Sequence, residues 1–221
     1  MLGIFRTCTM ALSTVALGTV ALAIVIAGVS PVAAADDGDV KKLRDTGQCA
    51  DCDLNEADLQ NADLKGANLA KANLRDAELD KAVLEGADLS EGDLRGTSFK
   101  RAKLKGSRFE GGKLSHTNFE RADLQGANLS DTNLKAARLD RADLTGENLR
   151  KANLEKTRMS RAILRGAQLQ EASFKGAIFN KADLSSADLS DADNLTQAQL
   201  DEACGNADTV LPGGMTIPAC E

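Results

Sequence analysis

From Leu54 to Leu189 a large apolar residue recurs at every fifth position, a pattern that neither a continuous α-helix nor a single long strand can hold. The run has 28 centres: 22 Leu, five Phe (Phe99, Phe109, Phe119, Phe174, Phe179) and Met159. A small residue stands two places before the centre in 27 of the 28, so the unit reads A-(D/N)-L-x-x, as in Ala57-Asp58-Leu59. On an α-helix a period of five scatters the Leu residues over every face. On a strand an odd period flips them between the two sides. Within one unit, however, the small residue and the centre are two apart and share a face, with Asp or Asn outward between them. The next two residues must turn a corner. Repetition gives a polygonal coil, an all-β solenoid with Ala and Leu inside.

The number of sides is also readable. Gly66, Gly86, Gly106, Gly126, Gly146 and Gly166 are spaced by twenty, each two residues after a centre. A corner that recurs every twenty residues means four units per coil. Gly there suits a corner needing positive φ, as in a type II turn. Twenty-eight units at four per coil make about seven coils, and stacking at the ~4.8 Å spacing of β-strands gives a rod roughly 34 Å long. Each coil pairs only with its neighbours, so stability is expected to be nearly additive along the axis. Such an interior leaves no room for a ligand cavity, because a larger residue in the small slot would strike the opposite wall. Glu147 alone breaks that slot. Glu147 either bulges outward or is buried with a partner; an unpaired inward carboxylate is costly, so the outward bulge is the expectation.

The run Ala-Asp-Leu-Lys-Gly-Ala-Asn-Leu at 62–69, with its companions, resembles the pentapeptide-repeat family. That resemblance covers about two thirds of the chain. It implies a right-handed quadrilateral β-helix over 53–193, with short helical caps at both ends. The N-terminal cap would span 36–52, with Val40 and Leu43 on a short amphipathic helix after Asp39. The C-terminal cap would span 194–221. There Thr196 and Gln199 form a capping-box signature, Gly205 reads as the helix stop, and the tail to Cys220 folds back. Both end segments are similar to the Cys-bearing flanks of many bacterial members.

The first 35 residues differ in kind. Arg6 is the only charge before Asp36, and an apolar stretch from Met10 to Val29 ends in Ala33-Ala34-Ala35. This reads as a secretory signal peptide cut after Ala35. The apolar run is longer than usual for such a core, so an uncleaved N-terminal membrane anchor is the competing reading. Either places the repeats outside the cytoplasm, in a periplasmic or extracellular setting. Cys8 would leave with the signal. An even count of Cys49, Cys52, Cys204 and Cys220 in an exported chain points to disulfides. The expected pairs are Cys49–Cys52 and Cys204–Cys220. A zinc site of all four would need the two ends of the rod together. A Cys49/Cys52 redox pair is an alternative, but Asp51 and Asp53 flank Cys52 and would raise its pKa.

Charge is zoned. Residues 53–93 carry eleven acids against four bases, 94–181 nineteen bases against nine acids, and 182–221 eight acids and no base. From the end of the acidic zone through the basic one, Lys81, Arg101, Arg121, Arg141, Arg161 and Lys181 recur every twenty residues. They should form a ladder along one edge, a candidate binding site for an envelope polyanion or an acidic protein. The bland reading is a solvated edge laced with weak salt bridges to Glu120, Asp123, Asp140 and Asp143. The sequence by itself favours that second reading, because repeat corners are often charged without function.

Catalysis finds little material. There is no Trp or Tyr, and the one His, His116, stands at an outward corner without a nucleophile or metal ligand at suitable spacing. No calcium-loop spacing occurs among the outward Asp and Asn residues such as Asp58, Asn68, Asn128 and Asn148. The expectation is therefore no enzyme, no cofactor and no metal. It is a structural or protein-interaction scaffold, monomeric or paired end to end, touching a membrane only through an uncleaved N-terminus. Some relatives mimic DNA and protect gyrase. Export and a basic middle argue against that role here, and nucleic acid is not expected as a partner.

Overall fold

The computed structural model describes residues 36–220. The signal peptide or anchor expected at 1–35 lies outside them. Among the described residues no helix is long and apolar enough to cross a membrane.

The outward residue of each unit makes a parallel bridge to the residue twenty places on, as in Asp88↔Arg108 and Arg108↔Asn128. Two hydrogen bonds secure each step, for example Leu89 N to Arg108 O at 2.7 Å and Arg108 N to Ala87 O at 2.9 Å. Four units therefore complete one coil. All 28 centres are buried. Phe99 and Phe119, one coil apart, stack at 5.2 Å between ring centroids, and Phe109 meets them edge-on at 5.9 and 5.8 Å. Buried hydroxyls in the small slot find carbonyls: Thr117 Oγ1 donates to Leu114 O at 2.7 Å and Thr97 Oγ1 to Leu74 O at 2.6 Å.

The corners share one design, with Thr132 the exception in lacking the backbone bond. The residue three past the carbonyl donates back to it, as Ala122 N does to Phe119 O at 2.9 Å, and the residue before the donor takes positive φ. That is a type II turn. Positive φ is not confined to the Gly column: Lys71, Asp131 and Arg161 adopt it at 60°, 56° and 59°. A Cβ added to Gly66, Gly86 or Gly126 would meet nothing within 4 Å. Neither conformation nor crowding sets the Gly column apart, and nothing in the structure explains it. The outward Asp and Asn have a role at these corners that the repeat pattern alone did not reveal. Their side-chain oxygens accept from the amide two residues on, as in Ser130 N to Asn128 Oδ1 at 3.1 Å.

The ends depart from the repeat. Helix α1 spans Asp37–Thr46. Asp36 caps its N-terminus, Gly47 at φ 66° ends it, and Leu43 is buried against the core. Asp39 Oδ2 accepts from Asp53 N at 2.8 Å and so ties α1 to the first unit. Helix α2 spans Gln197–Asp201 behind the Thr196–Gln199 capping box. After it the register slips, with Asp183 bridging Cys204 and Asp188 bridging Val210. The helix ends before Gly205, which corrects the reading of that glycine as a helix stop. Gly205 instead bridges Ala219, where an added Cβ would lie 2.7 Å from Thr209 Oγ1 and 3.0 Å from Ile217. Close packing of the returning tail is what excludes a side chain there.

Cys49 pairs with Cys52, and Cys204 with Cys220. Asp39 lies beside the first pair and Asp183 beside the second. Sulfurs held in a disulfide offer no thiolate to a metal.

Glu147 points inward. This overturns the expected outward bulge. The residue is fully buried in the column of Ala127 and Ala167, and its Oε1 accepts from Ala127 N at 2.6 Å. Its Oε2 is buried without a partner. Burial pushes the carboxyl up to about 9, opposed by the Ala127 hydrogen bond and aided by nearby Asp143. It therefore sits in the core as a neutral acid at pH 7, which removes most of the cost that the outward expectation assumed.

Candidate anion-binding edge

Lys81, Arg101, Arg121, Arg141, Arg161 and Lys181 occupy one corner column, all exposed and all at φ between 56° and 61°. Their backbones are fixed by the next coil: Arg121 N donates to Asp140 O at 3.1 Å, Arg141 N to Ser160 O at 3.0 Å and Arg161 N to Asn180 O at 2.8 Å. The six cations therefore rise in line along one edge.

The rest of the wall is arranged differently. Elsewhere several charges stacked one coil apart pair with opposite sign, Lys65 with Glu85 at 3.0 Å, Lys71 with Glu91 at 3.7 Å, Asp88 with Arg108 at 3.4 Å, and Lys135 with Glu155 at 2.9 Å, and like pairs such as Asp123 with Asp143 and Arg138 with Arg158 stop at two. In no other outward column of the repeats do more than two like charges follow one another. Like charges stacked on adjacent coils repel, and a run of six is the longest such run in any outward column of the repeats.

Nor do neighbouring acids neutralise it. Among the described residues only Arg121 of the six has a carboxylate within 4.0 Å, Glu120 at 3.9 Å. Asp140 turns away from Arg141 and engages Arg158 at 3.4 Å and Arg138 at 4.0 Å. Asp123 and Asp143 accept from the amides of Gln125 and Thr145. The surface beside the ladder has two shallow depressions. One is lined by Asp80, Lys81, Lys100, Arg101, Glu120 and Arg121, the other by Glu120, Arg138, Asp140, Arg141, Arg158, Ser160 and Arg161. His116 is exposed at a different corner and joins neither.

A filled Leu/Ala interior, pairing only between residues one coil apart and all variable side chains on the wall define a β-helical repeat solenoid. A family model described as Pentapeptide repeats, in eight copies, matches residues 48–86, 77–115, 102–141, 127–166 and 167–204. The chain belongs to the pentapeptide-repeat family. Trypsin-treated QnrB1, a plasmid-mediated fluoroquinolone resistance protein, is similar with TM-score 0.58 at 20% identity, over 73% of this chain and 84% of that one. HetL, a pentapeptide repeat protein involved in heterocyst differentiation regulation in the cyanobacterium Nostoc, is similar at 27% identity over 83% and 94%, with TM-score 0.36. A pentapeptide repeat protein from the Arabidopsis thaliana thylakoid lumen is 35% identical over 47% of this chain and 65% of that one, with TM-score 0.22. No curated protein matches the chain significantly. The family match and the QnrB1 likeness make the solenoid a right-handed β-helix.

Proposed function

We propose that this chain is a non-enzymatic, exported scaffold of the bacterial envelope that presents one basic edge to an anionic partner. In this reading the solenoid has about seven coils, from 28 centres at four per coil, with α1 and α2 as its caps. Residues 1–35 direct export. The observation that supports the basic edge is the column of six like charges, five of them without a carboxylate within 4.0 Å among the described residues, on a wall where no other outward column stacks more than two. A solvated edge gains nothing from six like charges in a row, which repel one another. Protection of gyrase by DNA mimicry needs a negative surface, and the net charge over 94–181 has the opposite sign.

Reversing Arg121, Arg141 and Arg161 to Glu tests the reading. All three replacements keep a side chain at positive φ, so the fold should survive, as a circular dichroism spectrum would register. Retention on immobilised heparin and on anionic vesicles should fall, and the wild-type retention should weaken steeply with salt. Unchanged retention in the triple variant would refute the basic edge.

A further inference from the structure

We infer that four arginines, Arg138, Arg141, Arg158 and Arg161, form a discrete site for a dianionic phosphate monoester. The inference rests on the reading of the ladder as an anion-binding edge and narrows it to one place and one chemistry. Arg138 and Arg158 are directly bridged on adjacent coils, and Arg141 and Arg161 are stacked one coil apart at the neighbouring corner. The four therefore mark a square around a depression of about 300 Å³, with Ser160 and the carboxylates of Glu120 and Asp140 completing its lining.

The two pairs do different jobs. Asp140 is held in the wall, with its side chain 13% exposed, and Oδ1 accepts from Ser160 N at 3.2 Å. Its Oδ2 faces Arg158 Nε at 3.4 Å and Arg138 Nε at 4.0 Å. Glu120 Oε2 lies 3.6 Å from Arg138. Arg138 and Arg158 thus occupy both carboxylates of the depression. Arg141 and Arg161 have no carboxylate within 4.0 Å among the described residues, and the Ser160 hydroxyl makes no hydrogen bond there. Two unpaired guanidinium forks and one hydroxyl donor therefore border the same depression.

The charge selects the ligand class. Four arginines against Asp140 and Glu120 leave two positive charges, which matches the roughly −1.5 to −2 of a phosphate monoester at pH 7. Three terminal oxygens on a phosphate suit two planar forks and a hydroxyl better than one carboxylate does. The other depression, at Lys81 and Arg101, mixes Lys with Arg, and its Arg121 is already beside Glu120. Arg138 and Arg158 are positioning residues: without them Asp140 and Glu120 would turn to Arg141 and Arg161 and compete with the ligand.

Titration of the full chain with methyl phosphate, methyl sulfate and acetate, followed by NMR of the Arg Nε–H and Ser160 resonances, tests this. Methyl phosphate should saturate the site and bind more tightly than either monoanion. Arg138→Gln/Arg158→Gln, which leaves all six ladder cations in place, should weaken methyl phosphate by about tenfold and change heparin retention little. Lys81→Gln/Arg101→Gln should do the reverse. Equal binding of the three anions, or unchanged phosphate binding in Arg138→Gln/Arg158→Gln, would overturn the site while leaving the ladder standing. Loss of heparin retention in Arg138→Gln/Arg158→Gln as large as in the triple reversal would overturn the site as a separate feature. Wild-type protein that binds neither methyl phosphate nor heparin would overturn both readings.

Discussion

Replacing Glu147 with Gln should leave the protein about as stable as wild type at pH 5 and markedly more stable than wild type at pH 8. Glu147 is buried in the small slot with one oxygen on the Ala127 amide, and burial raises its carboxyl from 4.5 to about 9. The raised value means that the folded chain keeps this proton while the unfolded chain gives it up. The stability it permits is thus fully present below the unfolded pKa and is lost as pH rises toward the folded one. Each pH unit between the two costs about 1.36 kcal/mol, so wild type should lose about 4 kcal/mol from this group between pH 5 and pH 8. Gln is nearly isosteric, still accepts from Ala127 N through its carbonyl oxygen, and does not titrate. Comparing the variant with wild type at both pH values cancels the contributions of the other groups. Urea unfolding of both proteins at the two values measures the difference directly. Parallel pH dependences for wild type and Glu147→Gln would refute the neutral buried carboxyl.

Phe109→Ala should cost about 3–5 kcal/mol, because it removes the ring that meets Phe99 and Phe119 edge-on in a filled core; urea midpoints would register it. Replacing Cys204 and Cys220 with Ser should cost about 3 kcal/mol, since that disulfide closes a segment of 16 residues. The same exchange at Cys49 and Cys52, only three residues apart, should cost less. Gly205→Ala should destabilise the C-terminal tail, where its Cβ would lie 2.7 Å from Thr209 Oγ1, and faster amide exchange confined to the segment after Cys204 would report it.

The solenoid was legible because it repeats. A period of five fixes which side chains point inward, and a period of twenty fixes what stacks on what, so the Asp88↔Arg108 register could be read without coordinates. The single exceptions were harder. Glu147 was misplaced because an inward carboxylate was assumed to be charged, and sequence does not report protonation. Gly205 was read as a local helix stop, whereas its constraint comes from Ile217 and Thr209 on the returning tail. The ladder column was visible, but its state was not. Only geometry shows that Asp140 serves Arg158 and Arg138, three residues before each ladder position, and leaves Arg141 and Arg161 without a carboxylate within 4.0 Å among the described residues.

Because every bridge within the repeats joins residues twenty apart, inserting or excising one twenty-residue block would leave each remaining coil with the same kind of neighbours as before. Such an event would lengthen or shorten the charged edge by one step of about 4.8 Å. Reach toward an extended partner is then adjustable by gene duplication in whole increments, with no redesign of the interior.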